Sequence, residues 1–193
     1  MTEKEKKIKC IEDICNPDLP YGEKLDAYEF LCDEGEEVID EMIARLYNTE
    51  GDDAQMLIEI LANFKGRKEI YLWLVTFFYR GDDVALFAKL LGSYGDERAI
   101  DVLNSFAKEN ELNYNEFMEV RNAVEMLGGI FVSKQDFSDD PFYKFIKGID
   151  ESETIKEDEQ TDSEENEDDC DCHHEEGDCD CGDDCDCNHE GND

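Results

Sequence analysis

The chain has 193 residues, with 54 acidic against 18 basic side chains and a formal net charge of −36. Such a balance excludes nucleic-acid binding, which needs Lys and Arg to displace counterions from phosphates, and docking on anionic membranes through a basic patch. It favours cationic partners: basic or amphipathic protein surfaces and metal ions.

The N-terminus, Met1 to Lys7, carries charges with no apolar run behind them, so no targeting segment is expected and a cytoplasmic location is the default. The longest apolar stretch, Ile70 to Tyr79, is half the ~20 residues of a membrane span. In chain order, residues 3–15 place Ile8, Ile11, Ile14 and Cys15 at helical spacing. Gly35, Gly66, Gly95 and Gly128 then follow at steps of 31, 29 and 33 residues. Before the later three, apolar stripes recur: Leu57, Ile58, Leu61 and Phe64; Phe87, Leu90, Leu91 and Tyr94; Val120, Ala123, Val124 and Leu127. Each glycine is expected just past a helix end, where left-handed φ is required. Gly51-Asp52-Asp53 and Gly81-Asp82-Asp83 offer N-cap oxygens.

Partner helices are expected over Glu36–Tyr47, Lys68–Tyr79 and Asp96–Glu109. The second is apolar on nearly all sides and reads first as a central helix sandwiched by its neighbours; the alternative is that some of Tyr71, Val75 and Phe78 reach a groove and hold a partner peptide. Pro141 opens a last helix with aromatic residues behind it, a cap for the stack. No stretch alternates with period two. The expected fold is all-α: antiparallel helix pairs stacked as an α-solenoid over residues 1–149.

Two stretches carry a resemblance. Gly95-Asp96-Glu97-Arg98-Ala99-Ile100-Asp101-Val102-Leu103 and Val120-Arg121-Asn122-Ala123-Val124-Glu125-Met126-Leu127-Gly128 resemble the short HEAT-like repeat, a type also found in phycobilisome lyases. The likeness runs from about Tyr21 to Gly129. Gln55-Met56 and Ala85-Leu86 stand where the Val-Arg pair would fall. The resemblance implies a helical-repeat fold and a binding role; lyase activity does not follow from it.

Residues 150–193 are a different kind of chain. They hold 22 acidic residues against one basic, a net of −21, whereas residues 1–149 hold 32 against 17, a net of −15. Ile155 is their one large aliphatic residue, so this tail is expected to be disordered. It contains Cys170-Asp171-Cys172-His173-His174, Cys179-Asp180-Cys181 and Cys185-Asp186-Cys187-Asn188-His189. In an extended chain residues i and i+2 share a side, so each Cys-Asp-Cys unit offers two thiolates to one ion. Two units supply a Cys₄ set, and the third with two histidines supplies Cys₂His₂; together they fill about two zinc sites. Cu(I) is the other thiophilic candidate. The pattern resembles a metallothionein-type cluster or the tail of a metallochaperone, with a partial likeness to the SEC-C motif through Cys179-x-Cys181-Gly182 that ends at Cys185. Three plainer readings stand beside it: a solubilising segment, disulfides in an oxidising compartment, and adventitious metal binding. Calcium by an EF-hand is excluded, because Asp183 occupies the position that needs glycine when the loop starts at Asp178.

Cys10, Cys15 and Cys32 fall in helical segments and read as structural. With no histidine before position 173, residues 1–149 cannot build a Ser-His-Asp or Cys-His pair, and no phosphate loop or H-E-x-x-H is present. The expectation is a non-enzymatic interaction scaffold with a metal-binding tail. The alternatives are a pure adaptor whose tail only solubilises, and a lyase or maturation factor using tail thiols.

Overall fold

The computed structural model describes residues 1–149, and the described residues are all-helical with no strand. The first helix, α1 (Glu3–Ile14), opens with a capping box. The Glu5 N–H donates to Thr2 Oγ1 at 3.2 Å, and the Thr2 N–H donates to Glu5 Oε2 at 2.7 Å. Its apolar stripe buries Ile11 and Ile14. Next come α2 (Tyr21–Glu34), a 3₁₀ turn (Gly35–Val38) and α3 (Ile39–Leu46), then α4 (Gly51–Leu61) and α5 (Lys68–Arg80). Three more follow: α6 (Val84–Tyr94), α7 (Ala99–Glu109) and α8 (Tyr114–Met126).

Short loops set consecutive helices against each other as antiparallel neighbours: α1 with α2, α3 with α4, α5 with α6, α7 with α8. The second members join successive pairs, α2 against α4 and α6 against α8. Side-chain bonds from the first helix pair to the second, and one from the second to the start of α5, span a near-constant step. Lys7 pairs with Glu37, Lys24 with Asp53, Tyr28 with Glu59, Asn63 with Cys32, and Arg67 with Asp40; the partners lie 27 to 31 residues apart. That step matches the glycine spacing and is the mark of a linear array in which each unit touches its neighbours. Lys7 and Lys24 are both buried. A lysine is buried only when its charge is matched, and their acidic partners stand one unit further along the chain.

Gly95 and Gly128 adopt φ of +83° and +80°, as expected past a helix end. Gly35 does not: its φ is −75° and the chain continues into the 3₁₀ turn. Space is what demands glycine there, since a Cβ would lie 3.2 Å from the Phe64 ring and 3.3 Å from Met42 Cε. The two acidic openings also differ. Asp83 caps α6, accepting from the Leu86 N–H at 2.9 Å, whereas α4 has no side-chain cap and Asp53 turns to Lys24 instead. Asp83→Ala is therefore expected to lower stability by about 1 kcal/mol in urea denaturation. A change below a few tenths would remove the cap from the account.

The end of the array is closed in an unexpected way. Residues 129–139 run without regular structure along α7. Asn104 Nδ2 donates to the Ile130 carbonyl at 3.1 Å, and its Oδ1 accepts from the Val132 N–H at 3.2 Å. Gln135 Nε2 donates to the carbonyls of Ala107 and Asn110 at 3.1 and 2.8 Å, while its Oε1 accepts from the Leu112 N–H at 3.1 Å. Phe131 and Phe137 pack on Phe117 with ring centroids 5.1 and 4.8 Å apart. The expected last helix, α9 (Pro141–Lys147), does form, with Pro141 in its first turn and Asp140 as N-cap, yet none of its residues is buried. The strap before it does most of the closing.

Candidate functional site

A groove of ≈ 520 Å³ lies between α2 and α4. Its two walls have different chemistry. On α2, Tyr21, Leu25 and Tyr28 recur at i, i+4 and i+7 and form one apolar row. Tyr21 is 64% and Leu25 37% exposed. On α4, Asp52, Gln55, Met56 and Glu59 follow the same spacing and form a row that carries two carboxylates. No Lys or Arg lines the groove. Beneath it, the buried Lys24–Asp53 pair ties the two helices together.

The far end of the groove is organised by Glu59. It accepts from Gln55 Nε2 at 3.1 Å and from the Tyr28 hydroxyl at 3.4 Å. Burial, reinforced by Cys32 and Glu59, pushes the Tyr28 phenol far above its ordinary range. Burial likewise raises Cys32, with neighbouring acids adding to it, and Cys10 and Cys15 are raised for the same first cause. All three thiols stay protonated near neutral pH, and a thiol in that state is a poor nucleophile and metal ligand. They are half-buried rather than fully buried, packed at the edge of the core. What the groove offers is a shaped, acidic, aromatic surface.

A second cleft, ≈ 300 Å³, lies between the end of α3 and α5 and is lined by Tyr47, Glu69, Leu72, Trp73 and Thr76. Of the two readings of α5, Tyr71 and Phe78 follow the core one, and Val75 is half-buried. Tyr71 and Phe78 do not reach a groove: both are buried, Phe78 completely. The inward side of α5 is set by Ile70, Leu74, Phe77 and Phe78, which rotates the opposite side outward. Leu72 is 50% and Tyr47 73% exposed, and Tyr47 meets Trp73 edge-on at 5.1 Å between ring centroids. Thr76, the one polar residue in an apolar run of ten, was the signal that marks the outward side.

The metal ligands expected from the sequence, Cys170, Cys172, His173, His174, Cys179, Cys181, Cys185, Cys187 and His189, lie outside the described residues. Among the described residues, no group of three or more His, Cys, Asp or Glu side chains is placed to hold a metal ion. No described helix is long and apolar enough to cross a membrane. No family model, curated protein or solved structure matches the chain.

Proposed function

We propose that the protein is a non-enzymatic interaction scaffold: a HEAT-like helical stack that holds a client protein segment between α2 and α4, joined to a tail that binds Zn²⁺ or Cu(I) through its Cys-Asp-Cys units and histidines. The observation that carries the scaffold reading is the α2–α4 groove, where exposed Tyr21 and Leu25 face Asp52 and Glu59 across an open cleft. Exposed aromatic and aliphatic residues beside fixed charges are what a binding surface uses to anchor a partner. The tail reading rests on three Cys-Asp-Cys units and three histidines within residues 170–189.

The test of the tail is metal analysis of the untagged full chain under reducing conditions. About two Zn²⁺ per chain are expected, and none after Ser replaces Cys170, Cys172, Cys179, Cys181, Cys185 and Cys187. Binding requires deprotonated thiols, so uptake falls as the solution is acidified, and the dense carboxylates around them steepen that fall. A full chain that takes no zinc from a micromolar chelator would leave only the groove, and the protein would then be an adaptor.

A further inference from the structure

Resting on the scaffold reading, we infer that the segment seated between α2 and α4 is a basic amphipathic helix carrying two Lys or Arg residues seven positions apart.

Charge complementarity is the first ground. The groove is lined by Asp52 and Glu59 with no basic residue beside them, and neither carboxylate takes part in an ion pair among the described residues. Two other grooves differ, while the cleft beside α5 sets a single carboxylate, Glu69, unpaired among the described residues, against exposed Tyr47 and Leu72. The one at the start of α7 holds the internally paired Asp96 and Arg98, and the one beside α8 holds Arg121 and Glu125, also paired. Among these grooves, the one between α2 and α4 sets two uncompensated carboxylates, a full two turns apart, against an exposed apolar row.

Spacing is the second ground. Asp52 and Glu59 are seven residues apart on one face of α4, so they stand about 10.5 Å apart along its axis. A helical ligand lying along the groove meets both with cations at i and i+7, which share a face of that helix as well. Its positions i+3 and i+4 then fall on the side that can press against Tyr21, Leu25 and Tyr28. An extended ligand cannot do this. Its same-side residues are about 6.7 or 13 Å apart, and the spacing near 10 Å belongs to residues on opposite sides. The two walls are equally long, since Tyr21 to Tyr28 is also seven residues. That is two helical turns, the usual reach of helix-in-groove recognition.

The test uses the full chain and two synthetic helical peptides of identical Leu, Ala and Lys composition. One has its lysines seven apart with leucines at the intervening i+3 and i+4 positions; the other has its lysines five apart, on different faces. Fluorescence anisotropy at physiological salt is expected to show the first binding about tenfold tighter. In Asp52→Asn/Glu59→Gln, which keeps the hydrogen-bonding shapes but removes the charge, that preference disappears. Equal binding of both peptides, weakened by Tyr21→Ser/Leu25→Ser, would overturn the register and leave the scaffold reading intact. Binding indifferent to every groove variant would reflect attraction to the polyanionic remainder of the chain and would overturn both.

Discussion

Phe78→Ala is expected to cost about 3–5 kcal/mol of folding stability, the range for emptying a fully buried aromatic site. Phe78 has no exposed surface, and its ring meets that of Phe106 on α7 with centroids 4.4 Å apart and that of Tyr79 at 5.9 Å. Two effects add. The ring's apolar surface returns to water on unfolding in the native protein but not in the variant, and the neighbours on α7 lose their dispersion contacts because close-packed helices relax only partly. A loss of that size is a large fraction of the 5–15 kcal/mol typical of a whole domain. Urea denaturation read by far-UV circular dichroism measures it. Leu72→Ala, one position from Trp73 on the exposed side of the same helix, serves as the comparison and is expected to cost well under half as much. Equal losses at the two positions would mean that the inward and outward sides of α5 are wrongly assigned.

Gly92→Val is the second large effect, expected to exceed 3 kcal/mol, with Gly92→Ala costing about 1–3 kcal/mol. Helix propensity alone predicts the opposite for alanine, a gain of about 1 kcal/mol over glycine inside a helix. Geometry reverses the sign. A Cβ at position 92 would lie 2.9 Å from the Cα of Ala123 and 3.0 Å from its Cβ. The obstacle is backbone and a rigid methyl group, not the tip of a long side chain, so α6 and α8 must separate. That joint is the most extensive helix–helix contact in the described residues, and many buried side chains would loosen with it. Thermal denaturation of the alanine variant decides the matter: a raised Tm would show that propensity wins and the close approach is not real.

These two residues also show what the sequence made legible. Phe78 belonged to an apolar run whose helical character and core place were plain, but a run apolar on nearly all sides does not declare which side faces out: Tyr71 and Phe78 are core, while Leu72 and Thr76 are exposed. Gly92 lies inside a stripe and gave no sign of a close crossing, because the residue it must avoid, Ala123, is on another helix. Local signals were read well: the helix ends at Gly95 and Gly128, the cap at Asp83, and Pro141 at the start of α9. Features that depend on partners about thirty residues away were not. Lys7 and Lys24 look like ordinary surface charges until Glu37 and Asp53 are placed beside them. The strap at 129–139 has no periodicity, and its hold on α7 comes from Asn104 and Gln135 bonding to backbone. The α2–α4 groove belongs with these, since its two walls become one surface only when helices a repeat apart are set side by side. The cysteine ligands are the reverse case: vivid in sequence through spacing alone, and lying in residues 170–189, outside what the structure describes.

The ion pairs Lys7–Glu37 and Lys24–Asp53, between the first helix pair and the second, and Arg67–Asp40, between the second and the start of α5, have a consequence for how far a local change reaches. Each of these bonds reaches the adjacent unit and stops there, so a disturbance at one joint arrives at the next only after being absorbed by the packing in between. A client seated between α2 and α4, as proposed, would press next on α1 and α3, which pack against those helices, whereas α8 has its main contacts with α6 and α7.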